Sequence, residues 1–253
     1  MSLSKNKIKY LNSLNLKKIR DKEGVFVAEG VKLVGDLLPY FRAKIIVADC
    51  SCVVEDYLKA EEFIEIEGVD EMKKISALST PSSVYAVFYR PQYELDIQRC
   101  LKNKELMLAL DSVQDPGNLG TIMRIADWFG IKHIFCSKST VDVYNSKTVQ
   151  STMGALARVE VHYVDLIEVL QICRGNNFPI YGTFLDGQSV YDKELLSYGI
   201  IVMGNEGNGI SDSVENMVTD KLLIPNYPSG SVTSESLNVA VATAIICSEF
   251  RRR

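Results

Sequence analysis

The sequence predicts a two-part α/β protein whose second part is built on a mostly parallel sheet. Three observations carry that prediction. Short apolar runs alternate with helix-length stretches along nearly the whole chain, as in βα units around a parallel sheet. The 253 residues suggest about two domains at ~100–200 residues each. From residue 200 onward, a buried-strand run, a glycine-rich loop, a second apolar run, a long polar loop and a helix succeed one another. Ligands of open α/β sheets bind outside the carboxyl ends of strands, where both of those loops fall. A composition 47% hydrophobic and 24% charged is that of an ordinary globular protein with real cores.

The first part opens with a helical pattern over 6–20, with Ile8, Leu11, Leu14 and Ile19 among lysines. Strands are expected at 25–28, 44–48, 63–66 and 84–89, and helices at 31–40, 53–60 and, capped by Asp70, to 78. This is a small α/β sandwich of normal domain size. The polar stretch 90–103 reads as a linker.

The second part starts with the buried strand 106–111. Asp115-Pro116-Gly117-Asn118-Leu119-Gly120 breaks it, and a helix follows with Asn118 as its expected N-cap. Ile122, Ile125, Ala126 and Phe129 share one face at i, i+3, i+4 and i+7. Arg124 falls on the opposite face, where a solvent arginine or a substrate-facing one would sit. Strands are expected at 133–136, 158–163 and 179–184, and helices at 145–152 and 165–173. The run Ile200-Ile201-Val202-Met203 is a buried strand, followed by Gly204-Asn205-Glu206-Gly207-Asn208-Gly209. Glycines there let backbone N–H groups approach a ligand. Ser211 is a candidate N-cap, 221–224 a further strand, and 226–233 a long loop. In the final helix Leu237, Val239, Ala240, Val241, Ala242, Ala244, Ile245 and Ile246 cover nearly every face. A helix apolar all round is buried, which points to a second subunit, with Val239 and Ile246 as outward positions.

Several classes are excluded. No stretch approaches the ~18 apolar residues of a membrane span. No apolar signal region follows the first lysines, so a cytoplasmic protein is expected. Six cysteines without a Cys-x-x-Cys pair read as free, mostly buried thiols. His133 and His162 lie far apart in sequence beside apolar runs and read as structural, so no metal is expected. A net charge of −4 argues mildly against nucleic-acid binding, yet Lys5, Lys7, Lys9, Lys17, Lys18, Arg20 and Lys22 crowd the N-terminus. They form either a solvated face or a phosphate-contacting patch. A Rossmann enzyme would carry Gly-x-Gly-x-x-Gly after its first strand, whereas Pro116-Gly117-Asn118 follows the strand at Leu106. A binding-only RNA module would lack the polar residues of the loops.

Asp115 to Arg124, Ile201 to Ser211, and Ile224-Pro225 with Ser236 to Ala242 resemble, in order, the three motifs of the SpoU/TrmH family. Its members are RNA 2′-O-ribose methyltransferases of the SPOUT superfamily. The resemblance covers Leu106 to Arg253, and the first part more weakly resembles an L30e-like RNA-binding domain. The implied division is 1–95 for substrate binding, 96–105 as linker and 106–253 for methyl transfer. The resemblance further implies a deep trefoil knot, a homodimer joined through knot helices, and S-adenosylmethionine held among the knot loops. Its contacts would come from Thr183, Met203, Gly204, Gly207, Ile224, Leu237 and Asn238. Arg124, Asn118, Glu206, Ser236 and Asn238 would serve catalysis, and Lys5, Lys7, Lys9, Lys17 and Lys18 would bind RNA. The implied substrate is structured RNA, 23S ribosomal RNA in the first instance and transfer RNA as the alternative. The family assigns its first-motif arginine, here Arg124, to the 2′-hydroxyl, with general-base action proposed. A guanidinium with a pKa above ~12 is a poor base, and an electrostatic and positioning role meets the same need. Glu206 would orient Arg124 or a backbone amide. The loop 226–235 is longer than the usual third motif.

Overall fold

The computed structural model describes residues 2–228 and 236–252. The first stretch of the chain forms α1 (Lys5–Ser13), α2 (Lys17–Glu23), β1 (Val25–Glu29), α3 (Val31–Leu37), β2 (Ala43–Asp49), β3 (Glu62–Ile66), α4 (Val69–Lys73) and β4 (Val84–Tyr89). Then come α5 (Ile97–Lys102), β5 (Leu106–Leu110), α6 (Pro116–Trp128), β6 (His133–Cys136), α7 (Ser146–Thr152), β7 (Glu160–Tyr163) and α8 (Leu166–Gly175). The remainder is β8 (Ile180–Ser189), β9 (Gly199–Met203), α9 (Asp212–Glu215), β10 (Asp220–Leu223) and α10 (Val239–Arg252). Two compact units result, 1–92 with 142–157 and 93–141 with 158–253. The segment around α7 thus packs with the first unit, and the stretch 90–103 contains a helix, α5.

The first unit is a four-stranded sheet in the order β1-β4-β2-β3, antiparallel except between β2 and β3. Leu11 and Leu14 pack on Val25, Val27, Val47, Tyr85 and Val87 to form its core. The helix expected over 6–20 is two helices, broken at Ser13–Leu16. Asn12, Ser13 and Asn15 crowd that break, and such side chains compete for backbone hydrogen bonds. Arg20 fills the gap: its guanidinium donates to the Leu14 and Asn15 carbonyls at 2.9 and 2.8 Å and pairs with Asp142 at 2.7 Å. It is 3% exposed and so belongs to the core, not to a surface patch. The helix expected at 53–60 is a short 3₁₀ turn, and α4 starts after Gly68, ahead of Asp70.

The second unit holds a six-stranded sheet in the order β10-β8-β9-β5-β6-β7, parallel throughout. β5 and β9 are buried along their whole length, which is why both read as unbroken apolar runs. β8 is longer than expected, and its ladder with β10 jumps. Lys221 lies opposite Gly182, but Leu222 lies opposite Gln188. Residues 183–187 therefore leave the ladder. Gly187 permits the return, since a Cβ there would lie 2.6 Å from the Leu222 carbonyl carbon.

α6 begins earlier than the expected N-cap. Asp115 is the cap, accepting from the Asn118 N–H at 2.8 Å, with Pro116 at the first helical position, where its missing N–H costs nothing. The Asn118 side chain is thereby free for other bonds. The core stripe of α6 is Leu119, Ile122, Met123 and Ala126; Ile125 and Phe129 are only half-buried. α10 packs on α6. It buries Val239, Ala240, Thr243, Ile246, Cys247 and Phe250, a single stripe at 3.6-residue spacing. Val239 and Ile246 thus face inward. The outward apolar positions are Val241, which is 50% exposed, and the half-buried Ala244 and Ile245. Four cysteines are buried and Cys50 is exposed. Among the described residues no helix is long and apolar enough to cross a membrane.

Candidate active site

The carboxyl ends of β5, β8, β9 and β10 lie side by side, and each ends in a loop without regular structure. A cavity of about 610 Å³ opens there, lined by Thr183, Phe184, Leu185, Met203–Ile210, Asp212, Glu215, Leu222–Ile224, Ser236, Leu237, Val239 and Ala242. That size suits a small-molecule ligand. The ladder jump in β8 puts Thr183 to Leu185 on the wall.

The glycine loop is folded tightly on itself. Asn205 N–H donates to the Gly209 carbonyl at 2.8 Å and the Gly209 N–H returns to Asn205 at 3.0 Å. Asn205 Oδ1 accepts from the Gly207 and Asn208 amides, and its Nδ2 donates to the Ser112 carbonyl at 2.7 Å. Gly204 sits under the returning strand of the loop. A Cβ there would lie 2.2 Å from the Gly209 carbonyl carbon and 2.4 Å from the Ile210 nitrogen, so no side chain fits. Asp111, 6% exposed, anchors the far end by accepting from the Ser211 N–H and hydroxyl at 2.8 and 2.7 Å. Ser211 does not cap α9 with its side chain; it is spent on Asp111.

Three polar side chains, Asn118 from the first turn of α6 and Glu206 and Asn238 from two loops, form a continuous row. Asn238 Nδ2 donates to Asn118 Oδ1 at 3.0 Å, and Asn118 Nδ2 donates to Glu206 Oε1 at 3.0 Å. Glu206 also accepts from the Gln114 and Asp115 amides at 3.2 Å each. Asn238 Oδ1 accepts from the Ala240 and Val241 amides at the start of α10. Burial of the Glu206 carboxylate would by itself raise its pKa. The Asn118 amide and the backbone N–H groups outweigh that and hold it below the ordinary carboxylate value, so it is ionised at neutral pH.

Of the expected cofactor contacts, Thr183, Met203, Gly204, Gly207, Ile224 and Leu237 all line the cavity, and Asn238 stands beside them in the polar row. Of the expected catalytic group, Glu206 and Ser236 line it, and Asn118 and Asn238 join Glu206 through hydrogen bonds. Glu206 engages backbone amides and Asn118, not Arg124. Arg124 is exposed on α6, roughly two turns beyond Asn118, with no hydrogen bond or ion pair to the described residues. Of the expected RNA-contacting lysines, Lys7 pairs with Glu62 at 2.6 Å and Lys17 with Asp21 at 2.7 Å, while Lys5, Lys9 and Lys18 are exposed. Sequence reasoning missed Asp111, Asn205 and Ser211. The polar residue closing the apolar run at Asp111 was the available signal for the first of them.

Comparison with known proteins decides what this cavity belongs to. Residues 105–248 match the model of the SpoU rRNA Methylase family, and residues 5–86 match an MRM3-like substrate binding domain. The chain belongs to the SpoU rRNA methylase family. Its enzyme class, RNA methyltransferase, follows from that membership, and its fold is the α/β fold of SPOUT enzymes. Most of the long loop 226–235, and with it the expected knot, lies outside the described residues. Among SpoU relatives, the 23S rRNA (guanosine(2553)-2′-O)-methyltransferase RlmP of Bacillus subtilis is 31% identical, over 99% of this chain and 98% of its own. A structure from Porphyromonas gingivalis attributed to the TrmH family is 43% identical, with a TM-score of 0.89 over 100% of this chain and 99% of that one. An AdoMet-bound rRNA methyltransferase from Sinorhizobium meliloti is 28% identical, with a TM-score of 0.85 over 100% and 96%.

Proposed function

We propose that this SpoU enzyme methylates a ribose 2′-hydroxyl of 23S ribosomal RNA, using S-adenosylmethionine. The observation that carries this reading is the cavity whose backbone-lined floor adjoins the row Asn238–Asn118–Glu206. Likeness to RlmP over nearly the whole of both chains favours ribosomal over transfer RNA. An RNA of that kind is met in the cytoplasm, the compartment expected from sequence.

The residues present fit the cofactor. Gly204 keeps the loop thin where a Cβ would collide with backbone, so the floor is main chain that a ligand can approach closely. Met203, Ile210, Ile224 and Leu237 offer apolar walls for an adenine ring. S-adenosylmethionine supplies the electrophilic methyl group and needs no activation by the protein. The chain must place the ribose hydroxyl in line and accommodate the proton it loses. Asn118 and Asn238, fixed by each other and by Glu206, are positioned to orient the ribose. Arg124 keeps all its donors free toward the described residues. It binds the adjacent phosphate and stabilises negative charge developing on the 2′-oxygen. Ser236 faces the same space from the third motif.

The functional unit is a homodimer. Val241 and Ile245 of α10 and the 86%-exposed Trp128 of α6 offer apolar surface on two helices that pack together, and a partner would cover it.

The test is transfer of labelled methyl to ribosomal RNA from cells lacking the enzyme, followed by mapping of the modified ribose. Wild type should label one 2′-oxygen in 23S RNA. Arg124→Ala should lower turnover by about 10²–10³, as for loss of a charge-stabilising donor, with cofactor affinity unchanged. Arg124→Lys separates the roles. Lysine keeps the charge and loses the planar fork, so a positioning role leaves it inactive at every pH, whereas a base role lets activity recover as pH rises. Label appearing only on a base, or only in transfer RNA, would refute the assignment.

A further inference from the structure

We propose that His133, Glu160 and His162 form a binding site for one divalent transition-metal ion, zinc in the first instance, which clips the edge strand β7 to its neighbour β6. His133 and His162 are the chain's two histidines, 29 residues apart, and the fold sets them side by side. The β6–β7 register pairs His133 with Glu160 and Phe135 with His162. Alternation along a strand then puts His133, Glu160 and His162 on one face.

The spacing is that of a ligand set. His133 Nδ1 and His162 Nε2 are hydrogen-bonded at 3.2 Å, a contact that a bound ion would replace. Glu160 Oε2 lies 3.6 Å from the first and 3.7 Å from the second. The circle through these three atoms has a radius of about 2.0 Å, which is the zinc–nitrogen and zinc–oxygen bond length. One ion at or just off that plane touches all three, and a water completes a tetrahedron. The two longer distances exceed a hydrogen bond, so the carboxylate is placed between the imidazoles without bonding either.

The surroundings suit metal ligation. Glu105 Oε2 stands 3.6 Å from His133 Nε2, beyond a hydrogen bond, and adds negative charge beside that ring. Lys132 holds Glu160 Oε1 at 3.0 Å and leaves Oε2 to the histidines. Phe135 stacks on His162 with centroids 5.6 Å apart and fixes that ring. The three side chains are 12, 17 and 6% exposed, sheltered but reachable. Cys100 also approaches His133, on the Glu105 side. His133 starts β6, whereas the cavity lies at the carboxyl ends of the parallel strands, so the ion is structural and takes no part in methyl transfer.

The experiment uses the full chain, stripped with a chelator and titrated with Zn²⁺ by calorimetry, with Co²⁺ as a spectroscopic probe. Wild type should take up one zinc per chain with a Kd below ~1 μM, rise in Tm, and give the visible absorption of tetrahedral cobalt. His162→Asn and Glu160→Gln should each weaken zinc by at least ~10²-fold without altering S-adenosylmethionine affinity. His162→Cys should keep zinc and add a thiolate-to-cobalt charge-transfer band. A folded wild type that binds no zinc tighter than ~1 μM overturns the site, as does undiminished binding by folded His162→Asn. If a variant fails to fold, the wild-type titration and cobalt spectrum decide alone.

Discussion

At Gly204 one methyl group decides whether the glycine loop can close. A Cβ there would lie inside the van der Waals contact of Gly209 and Ile210 backbone, and backbone cannot swing aside as a side chain can. Gly204→Ala should therefore lower S-adenosylmethionine affinity at least ~10-fold, or about 1.4 kcal/mol, by calorimetry, while Gly207→Ala, whose Cβ meets only Asn205 Oδ1 at 3.6 Å, should be tolerated. Glu206 gives a pH signature. Its carboxyl is held below the ordinary value in the folded loop, so its contribution is complete above the unfolded pKa and is lost as pH falls through the folded one. Cofactor affinity of wild type should decline on that acid side, and Glu206→Gln should flatten the decline; an identical acid limb in both would remove Glu206 from loop closure. Residues such as these were only partly legible in the sequence. The glycines announced a loop, but Asp111 and Asn205 act through partners 100 and 93 residues away, and no local pattern encodes such a distance. In sequence Asn118 reads as a cap because its type and place allow it. Asp115 won that role because Pro116 fixes the first helical position one residue later.

Among the elements, those with one environment along their length were the easiest to read. β5 and β9 are apolar because both faces are covered, and the sequence shows it directly. β8 was cut short because residues 183–187 leave the ladder and resume it, and the run after Phe184 no longer alternates. α10 shows the opposite difficulty. Its apolar residues surround the axis, so sequence cannot tell the face on α6 from the face left outward. Because Val239 and Ile246 face inward, Val241 is the position that reports on the dimer. Val241→Glu should shift a dimer to monomer in light scattering, with the fold retained because no core contact is lost. A variant of unchanged mass would separate this face from assembly. Asn238→Ala should cost about 1 kcal/mol through loss of its helix-capping bonds, and should also loosen Asn118.

For the molecule as a whole, the charge balance of −4 conceals an uneven surface. With Lys7 and Lys17 paired to acids, Lys5, Lys9 and Lys18 remain the freely exposed members of the five expected RNA-contacting lysines. Neutralising these three should weaken RNA binding and reduce the salt slope by up to about 3, near 0.9 per phosphate contact on a duplex, with cofactor affinity unchanged. Neutralising Lys7 and Lys17 alone should do less. An unaltered slope in the triple variant would leave the lysines as a solvated face.

The row Asn238–Asn118–Glu206 has a consequence in time. Asn118 bonds a residue made 88 positions later and another made 120 positions later. At ~5–20 residues per second, a ribosome needs on the order of 6–24 s between the first asparagine and the second. During that interval the growing chain holds the first motif and part of the cavity wall but cannot assemble the row. A nascent copy is thus catalytically silent beside the very class of RNA that its finished form is proposed to modify.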